Sequence, residues 1–106
     1  MRQYKQGETV VLTGYFTDKH NAAADPSVSK KVRIADPTNT LVALSGSATE
    51  DDLVTDGSTG YWKYAYDLAA DAMLGKWDFE LIGTDGDGND VSMGEGAFEV
   101  IKRIGT

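Results

Sequence analysis

The sequence predicts an all-β fold, a single antiparallel sandwich of seven to eight strands. Two stretches, Tyr61–Leu68 and Gly75–Leu81, alternate large apolar side chains with polar ones and carry both tryptophans of the chain. An apolar residue at every second position is typical of a strand with one buried face. Turn-forming residues separate the other short apolar runs, and no run has the length and spacing of an ordinary helix.

The first half of the chain contains two clear strands. Thr9–Thr17 is rich in β-branched and aromatic residues, which favours the first strand, and Ser29–Ala35 is predicted as the second. A proline in the turn Asp36–Asn39 sets the backbone for a reversal. We therefore expect Leu41–Leu44 to pair back as a strand and complete a hairpin.

The second half adds a polar loop at Ser45–Asp51, a short strand at Leu53–Thr55 and a final strand from about residue 91 to residue 101. Ala69–Gly75 joins the two aromatic strands, and we predict a single helical turn there, closed by its glycine. Gly94 and Gly96 lie inside the final strand and indicate a bulge or a close backbone contact.

The inward phase of these strands predicts the hydrophobic core. Gly14 falls on that phase, so we expect Trp62 or Trp77 to approach the backbone there. The predicted core residues are Val10, Leu12, Phe16, Val32, Ile34, Trp62, Tyr64, Tyr66, Leu68, Trp77, Phe79, Leu81, Phe98 and Val100.

Length and charge narrow the possible functions. The 106 residues fit one domain, with a core over about residues 4–100 and a C-terminal tail at 101–106. A net charge of −7 disfavours binding to nucleic acids and to anionic membranes. The absence of cysteine excludes disulfides and thiolate metal sites. No signal peptide or membrane span is recognisable, so a native start at Met1 predicts a protein not secreted by the common route, whereas an excised domain could carry an added Met.

Catalysis is not predicted, and no cofactor is expected beyond one weak metal candidate. Asp85, Asp87, Asn89 and Asp90 could supply oxygen ligands to Ca²⁺, although the same residues are typical of a plain hairpin turn. The sole histidine, His20, lies in a predicted turn rather than beside a nucleophile. The acids around Glu50 fall in a predicted loop, where solvated carboxylates are usual.

Two pairs of residues are candidates for contact with a partner. Tyr15 and Tyr61 fall on the outward phase of their strands, and such tyrosines suit protein or carbohydrate contacts better than the inward tryptophans. Ile101 and Ile104 flank two basic residues beyond the core. They either dock on a partner or a neighbouring copy, or simply finish the last strand.

Several stretches resemble small immunoglobulin-like proteins encoded among the structural genes of tailed phages and prophages. Tyr4–Val10 is similar to the "Y-K-x-G-E-T-V" opening of bacterial and macroglobulin-type sandwich domains. Asp25–Val28 and Val32–Pro37 resemble their "D-P-x-x-V…V-x-D-P-x-G" region, although Thr38 and Asn39 stand where a glycine is common.

The resemblance continues to the C-terminus. Gly60–Tyr64 and Leu74–Trp77 are similar to the "G-x-Y-x-Y…x-G-x-W" core of these proteins, and Gly96–Val100 matches their "G-x-F-x-V" ending. The resemblance implies an immunoglobulin-like β-sandwich and a non-enzymatic virion component, made in the host cytoplasm, that serves as a head decoration, neck or tail-associated protein. Its partners would be other virion proteins or copies of itself. The alternative is a carbohydrate- or surface-binding domain of a larger bacterial cell-surface protein, stabilised by Ca²⁺ in one version.

Overall fold

The computed structural model describes residues 2–17, 29–57, 59–84 and 90–104, leaving aside the side chains of residues 90–95. These residues form eight strands and no helix, which confirms the predicted all-β class. In chain order the strands are β1 (Arg2–Lys5), β2 (Thr9–Tyr15), β3 (Ser29–Ala35), β4 (Asp51–Asp52), β5 (Val54–Thr55), β6 (Tyr61–Asp67), β7 (Gly75–Thr84) and β8 (Asp90–Ile101).

The strands form two sheets. One has five strands in the order β1-β8-β7-β3-β4, and the other has three in the order β2-β6-β5. All pairings are antiparallel except that of β1 with β8, which is parallel and was not predicted. β1 has only four residues and buries only Tyr4, so its sequence shows no period of two from which a strand could be predicted.

The two sheets share a hydrophobic core that largely matches the predicted one. Of the predicted residues, Trp62, Tyr64, Tyr66 and Phe79 are only partly buried and pack around the rest. The predicted residues that are buried are Val10, Leu12, Phe16, Val32, Ile34, Leu68, Trp77, Leu81, Phe98 and Val100. The core residues that the periodicity did not predict are Tyr4, Leu53, Ala72 and Ile82.

Trp77 lies where the two sheets meet. Its side chain is 4% exposed, and its indole Nε1 donates a hydrogen bond to the carbonyl oxygen of Met73 at 2.8 Å. Its ring stacks on Phe98 of the same sheet, with centroids 5.9 Å apart, and contacts Tyr66 of the opposite sheet at 6.3 Å. The indole is therefore both buried and hydrogen-bonded, as a core tryptophan requires.

Two glycines allow close packing. A Cβ added at Gly14 would lie 2.1 Å from Leu81 Cδ1, so the side chain that approaches this glycine is a leucine. Trp62, one of the two tryptophans expected there, is the cross-strand partner of Gly14. A Cβ at Gly96 would lie 2.6 Å from Phe79 Cζ, which confirms the expected close contact in the last strand. The expected irregularity is present too, since the β7–β8 register shifts between Leu81 and Ile82.

The predicted strand at Leu41–Leu44 is wrong. Only a single bridge joins Leu41 to Ala35, and the Val42 N–H donates to the carbonyl of Ile34 at 2.9 Å. Beyond that point the same edge of β3 is occupied by β4, which pairs with residues 31 and 32. The predicted loop Ser45–Asp51 thus ends in strand β4. β4 occupies the edge of β3 on which Leu41–Leu44 was expected to pair.

The predicted helical turn between the aromatic strands is also wrong. The Ala72 N–H donates to the carbonyl of Ala69 at 3.1 Å, which is the bond of a β-turn. Gly75 does not cap a helix but begins β7 with a φ of 125°. A seven-residue connection leaves too little chain for a stable helical nucleus once Ala72 is drawn into the core.

Candidate interaction surface

Among the side chains that the structure describes, the large exposed apolar ones contributed by strands lie on the three-stranded sheet. In β2 and β6 the inward residues are buried or half-buried and the outward ones are exposed. We call this surface the tyrosine face, after its two largest residues. It consists of Thr9, Val11, Thr13, Tyr15, Val54, Tyr61, Lys63, Ala65 and Asp67.

Tyr15 and Tyr61 were predicted as contact residues, and the structure brings them together. They are directly paired across β2 and β6, with ring centroids 4.6 Å apart and a 45° angle between the planes. The two side chains remain 37% and 45% exposed. Each ring limits the rotamers of the other, so the pair presents a preordered aromatic surface at low entropic cost.

Aliphatic side chains extend this aromatic surface along the sheet. Val11 is paired with Ala65, and Val54 with Lys63, so all four point outward. Val11 is 45% exposed and Val54 57% exposed. The Lys63 ammonium lies 3.6 Å from Asp56, which partly balances the charge on this face. The result is a mostly uncharged surface with tyrosines at one end, the composition found at the centres of protein interfaces.

The edge of β2 adds backbone groups to the same surface. β2 is an outer strand of its sheet, and among the described residues no strand pairs with it on the side opposite β6. Its seven residues include no charge and no proline. Exposed strand edges normally carry such residues because they prevent pairing with other chains.

Trp62 lies on the inner side of the same sheet, next to the Tyr15–Tyr61 pair. The Lys30 ammonium lies 5.0 Å from the ring centroid of Trp62, which is paired with Gly14 and faces inward. The predicted inward orientation of this tryptophan is confirmed, although its ring is only half-buried. The ammonium and the ring form a cation–π interaction.

A hydrogen bond links the two sheets at the side where β4 and β5 lie. The Tyr64 hydroxyl donates to Asp51 Oδ2 at 2.8 Å, from the three-stranded sheet to the five-stranded one. Burial, followed by this bond and the carboxylate charge, raises the pKa of Tyr64 to about 12. Burial also raises the pKa of Tyr66. Both phenols are held neutral, which suits a structural role.

The predicted tail residues have two different environments. Ile101 ends β8 and pairs with Lys5, and its carbonyl accepts a bond from the Gln6 N–H at 3.2 Å. Ile104 is 90% exposed. Between them, Arg103 Nε donates to the carbonyl of Gln6 at 3.1 Å and holds the tail against the turn after β1.

The predicted Ca²⁺ ligands are mostly beyond what the structure describes. Asp85, Asp87 and Asn89 lie outside the described residues, as does His20, and Asp90 pairs with Thr84 at the start of β8. Within the described ranges no cluster of three or more histidine or carboxylate side chains could hold a metal ion. The Ca²⁺ site in this loop therefore remains a prediction.

A shallow groove lies on the other sheet, lined by Arg33, Ala35, Leu41, Asp78, Phe79 and Glu80. Its one cation, Arg33, already donates from Nε to Glu50 at 2.8 Å. The groove therefore offers a paired guanidinium rather than a free charge for a ligand.

No family model, curated protein or solved structure matches this chain. In the part of the chain that the structure describes, no helix could cross a bilayer. The surface itself and the sequence resemblance are therefore the guides to function.

Proposed function

We propose that this chain is a non-enzymatic interaction module that binds another protein through the tyrosine face. The observation that carries the proposal is the exposed and directly paired tyrosines Tyr15 and Tyr61. The charges described on the same face are Lys63, which lies 3.6 Å from Asp56, and Asp67 at the end away from the tyrosines. Contiguous exposed apolar surface costs solubility, so it is typical of contact sites. Tyrosine in such a site supplies a large apolar area together with a hydroxyl for hydrogen bonding.

The fold in this proposal is an immunoglobulin-like sandwich. Strands β2, β6 and β5 then correspond to B, E and D of that fold, and β3, β7 and β8 to C, F and G. The order of strands in both sheets supports the assignment. Two features depart from antibody domains: the buried tryptophan Trp77 lies on the F-equivalent strand instead of C, and there is no cysteine for an intersheet disulfide.

The setting we propose is the virion of a tailed phage, with the chain made in the host cytoplasm. The sequence resemblance described above is what favours a head decoration, neck or tail-associated protein. Such a role requires surface complementarity to other virion proteins and no catalytic residues. A cysteine-free fold suits synthesis in a reducing compartment.

The test is retention of the chain on native particles. Particles from the source strain would be purified by density gradient, and their proteins identified by mass spectrometry. The proposal predicts that the chain co-purifies at a fixed ratio and that the double variant Tyr15→Ala/Tyr61→Ala is lost. The matched control, Lys31→Ala/Lys76→Ala on the opposite sheet, should stay bound. A chain that never co-purifies with particles, or a tyrosine variant retained like the control, would overturn the proposal.

A second candidate is a carbohydrate-binding domain of a larger bacterial surface protein. The observation that favours it is the same tyrosine pair, because exposed aromatic rings can stack on sugar faces. Titration of the isolated chain with a panel of saccharides, followed by tyrosine fluorescence and calorimetry, separates the two. Saturable sugar binding that Tyr61→Ala removes would favour this candidate over the virion role.

A further inference from the structure

We propose that β2 pairs antiparallel with β2 of a second copy, across a two-fold axis at Leu12. The result is one six-stranded sheet with the order β5-β6-β2-β2-β6-β5. The inference rests on the proposed role as a protein-contact module, and it identifies one partner as the chain itself. It concerns the backbone edge of β2, whereas the proposed function concerns the side chains of the tyrosine face.

The backbone groups available for this pairing follow from the register within the sheet. The Phe16 N–H donates to Gly60 at 2.6 Å and the Leu68 N–H donates to Glu8 at 3.0 Å, so the even-numbered residues of β2 bond to β6. In an antiparallel strand the alternate residues then direct their N–H and C=O groups to the other side. Those residues are Thr9, Val11, Thr13 and Tyr15.

The side chains of β2 place no barrier against a second copy. The strand has neither charge nor proline. Its outward residues are all β-branched or aromatic. Natural edge strands are usually protected by lysine, proline or a bulge, and the described pairing of β2 with β6 is regular. A regular, uncharged edge of seven residues is therefore suited to accept another strand.

A two-fold axis at Leu12 gives compatible pairs. Val11 stands opposite Thr13 of the second copy, a pair of β-branched residues, and Tyr15 stands opposite Thr9 of the second copy. β-branched and aromatic neighbours stabilise antiparallel pairs. Thr9 already donates to Asp67 at 2.6 Å, so Tyr15 of the second copy would lie beside a carboxylate that can accept its hydroxyl.

Charge favours this edge as the place where two copies meet. Each chain carries a net charge of −7, so two copies repel over most of their surfaces. β2 is a strand along which they can meet without opposing like charges. The pairing is isologous and uses the same edge on both copies, so it closes at a dimer. Because the remaining repulsion is screened by salt, the dimer should become tighter as ionic strength rises.

The experiment combines sedimentation with amide exchange on the full chain. Analytical ultracentrifugation over a range of protein and salt concentrations should show a monomer–dimer equilibrium that salt strengthens. Under the same conditions, hydrogen exchange followed by NMR should show concentration-dependent protection at the amides of Val11 and Thr13. The amides of Val10 and Leu12 should be protected at every concentration, since they bond within the chain.

Variants separate this inference from the proposed function. Thr13→Pro removes an edge donor without removing a bond to β6, and it should abolish the dimer. If it does not fold, Val11→Lys at an exposed position serves the same purpose. Tyr61→Ala should leave the dimer intact while weakening particle binding. A chain that stays monomeric at millimolar concentration, or a dimer in which Val11 and Thr13 exchange freely, would overturn the inference and leave the particle test standing.

Discussion

The two sheets have similar inner faces and different outer faces. On the inside, both contribute apolar residues to one core. On the outside, the five-stranded sheet carries ion pairs, and the hydrogen bond that Lys31 donates to Asp52 raises the pKa of Lys31. These pairs are Lys31–Asp52 at 2.7 Å, Arg33–Glu50 at 2.8 Å and Lys76–Asp78 at 3.8 Å. The tyrosine face has one cation and a row of apolar side chains instead.

This difference separates the part of the molecule suited to water from the part suited to a partner. Exposed ion pairs contribute little to stability, but they keep a surface hydrated. Among the described residues the tyrosine face has one such pair, Lys63–Asp56, beside its row of exposed apolar side chains. The fold could be maintained with charges on both outer faces, so we infer that the apolar one is retained for contact.

The largest expected effect tests the shared core. Trp77→Ala should lower the free energy of unfolding by about 3–5 kcal/mol, because it removes contacts to both sheets and leaves a cavity. Chemical denaturation followed by circular dichroism would measure the change. Tyr61→Ala, an exposed aromatic, is the matched control. An unchanged midpoint for Trp77→Ala would contradict the placement of the indole.

The next effect tests how closely the sheets approach. Gly14→Ala should destabilise the fold by about 1–3 kcal/mol through overpacking, since the new methyl group meets Leu81, which is fully buried and cannot move aside. Thr13→Ala at the neighbouring outward position should be much milder. The unfolding midpoints of the two variants measure this difference. Equal midpoints would mean that the sheets are less closely packed at Gly14.

A smaller effect tests the hydrogen bond between the sheets. Tyr64→Phe should cost about 1 kcal/mol, because it removes the bond to Asp51. The folded state also raises the pKa of Tyr64 from 10.0 to about 12. The stability that comes from holding this phenol neutral is complete below pH 10.0 and is lost as the pH rises through about 12. Urea unfolding across this range should show a shallower decline for Tyr64→Phe than for the original chain, and identical slopes would exclude the assigned role.

The smallest expected effects compare the outer faces directly. Tyr15→Ala/Tyr61→Ala and Lys31→Ala/Lys76→Ala should each change stability by about 0.5 kcal/mol or less per site. Three of the side chains are exposed, and Lys31 is partly exposed in a surface ion pair. Thermal unfolding measures both. The comparison becomes sharper in a binding assay, where only the tyrosine variant should lose its partner. A large loss of stability in the tyrosine variant would instead make the pair a structural element.

Strand periodicity was sufficient to predict the class of fold and most of its core. The alternations around Trp62 and Trp77 correctly predicted strands β6 and β7, and the outward phase correctly predicted exposed positions for Tyr15 and Tyr61. That these two rings meet could not be predicted, because the contact depends on the β2–β6 register. Register is a property of two strands and is not visible in either alone.

The error at Leu41–Leu44 has its physical cause in competition for the edge of a strand. Leu41–Leu44 has strand propensity, but β4 occupies the edge of β3 that it would need. β4 itself is Asp51–Asp52, whose composition predicts a loop, and it is held by the bond from Tyr64 and the ion pair with Lys31. Such tertiary contacts override local propensity and leave no periodic signal in the sequence.

The most direct test of the central claim is covalent footprinting of the chain, alone and in its native particle fraction. Tyrosine-directed oxidation and lysine acetylation, read by mass spectrometry, report the two outer faces in one experiment. We predict that Tyr15 and Tyr61 become protected in the particle fraction while Lys31 and Lys76 stay reactive. Protection of the lysines with both tyrosines still reactive would contradict it, because the contact surface would then be the charged face.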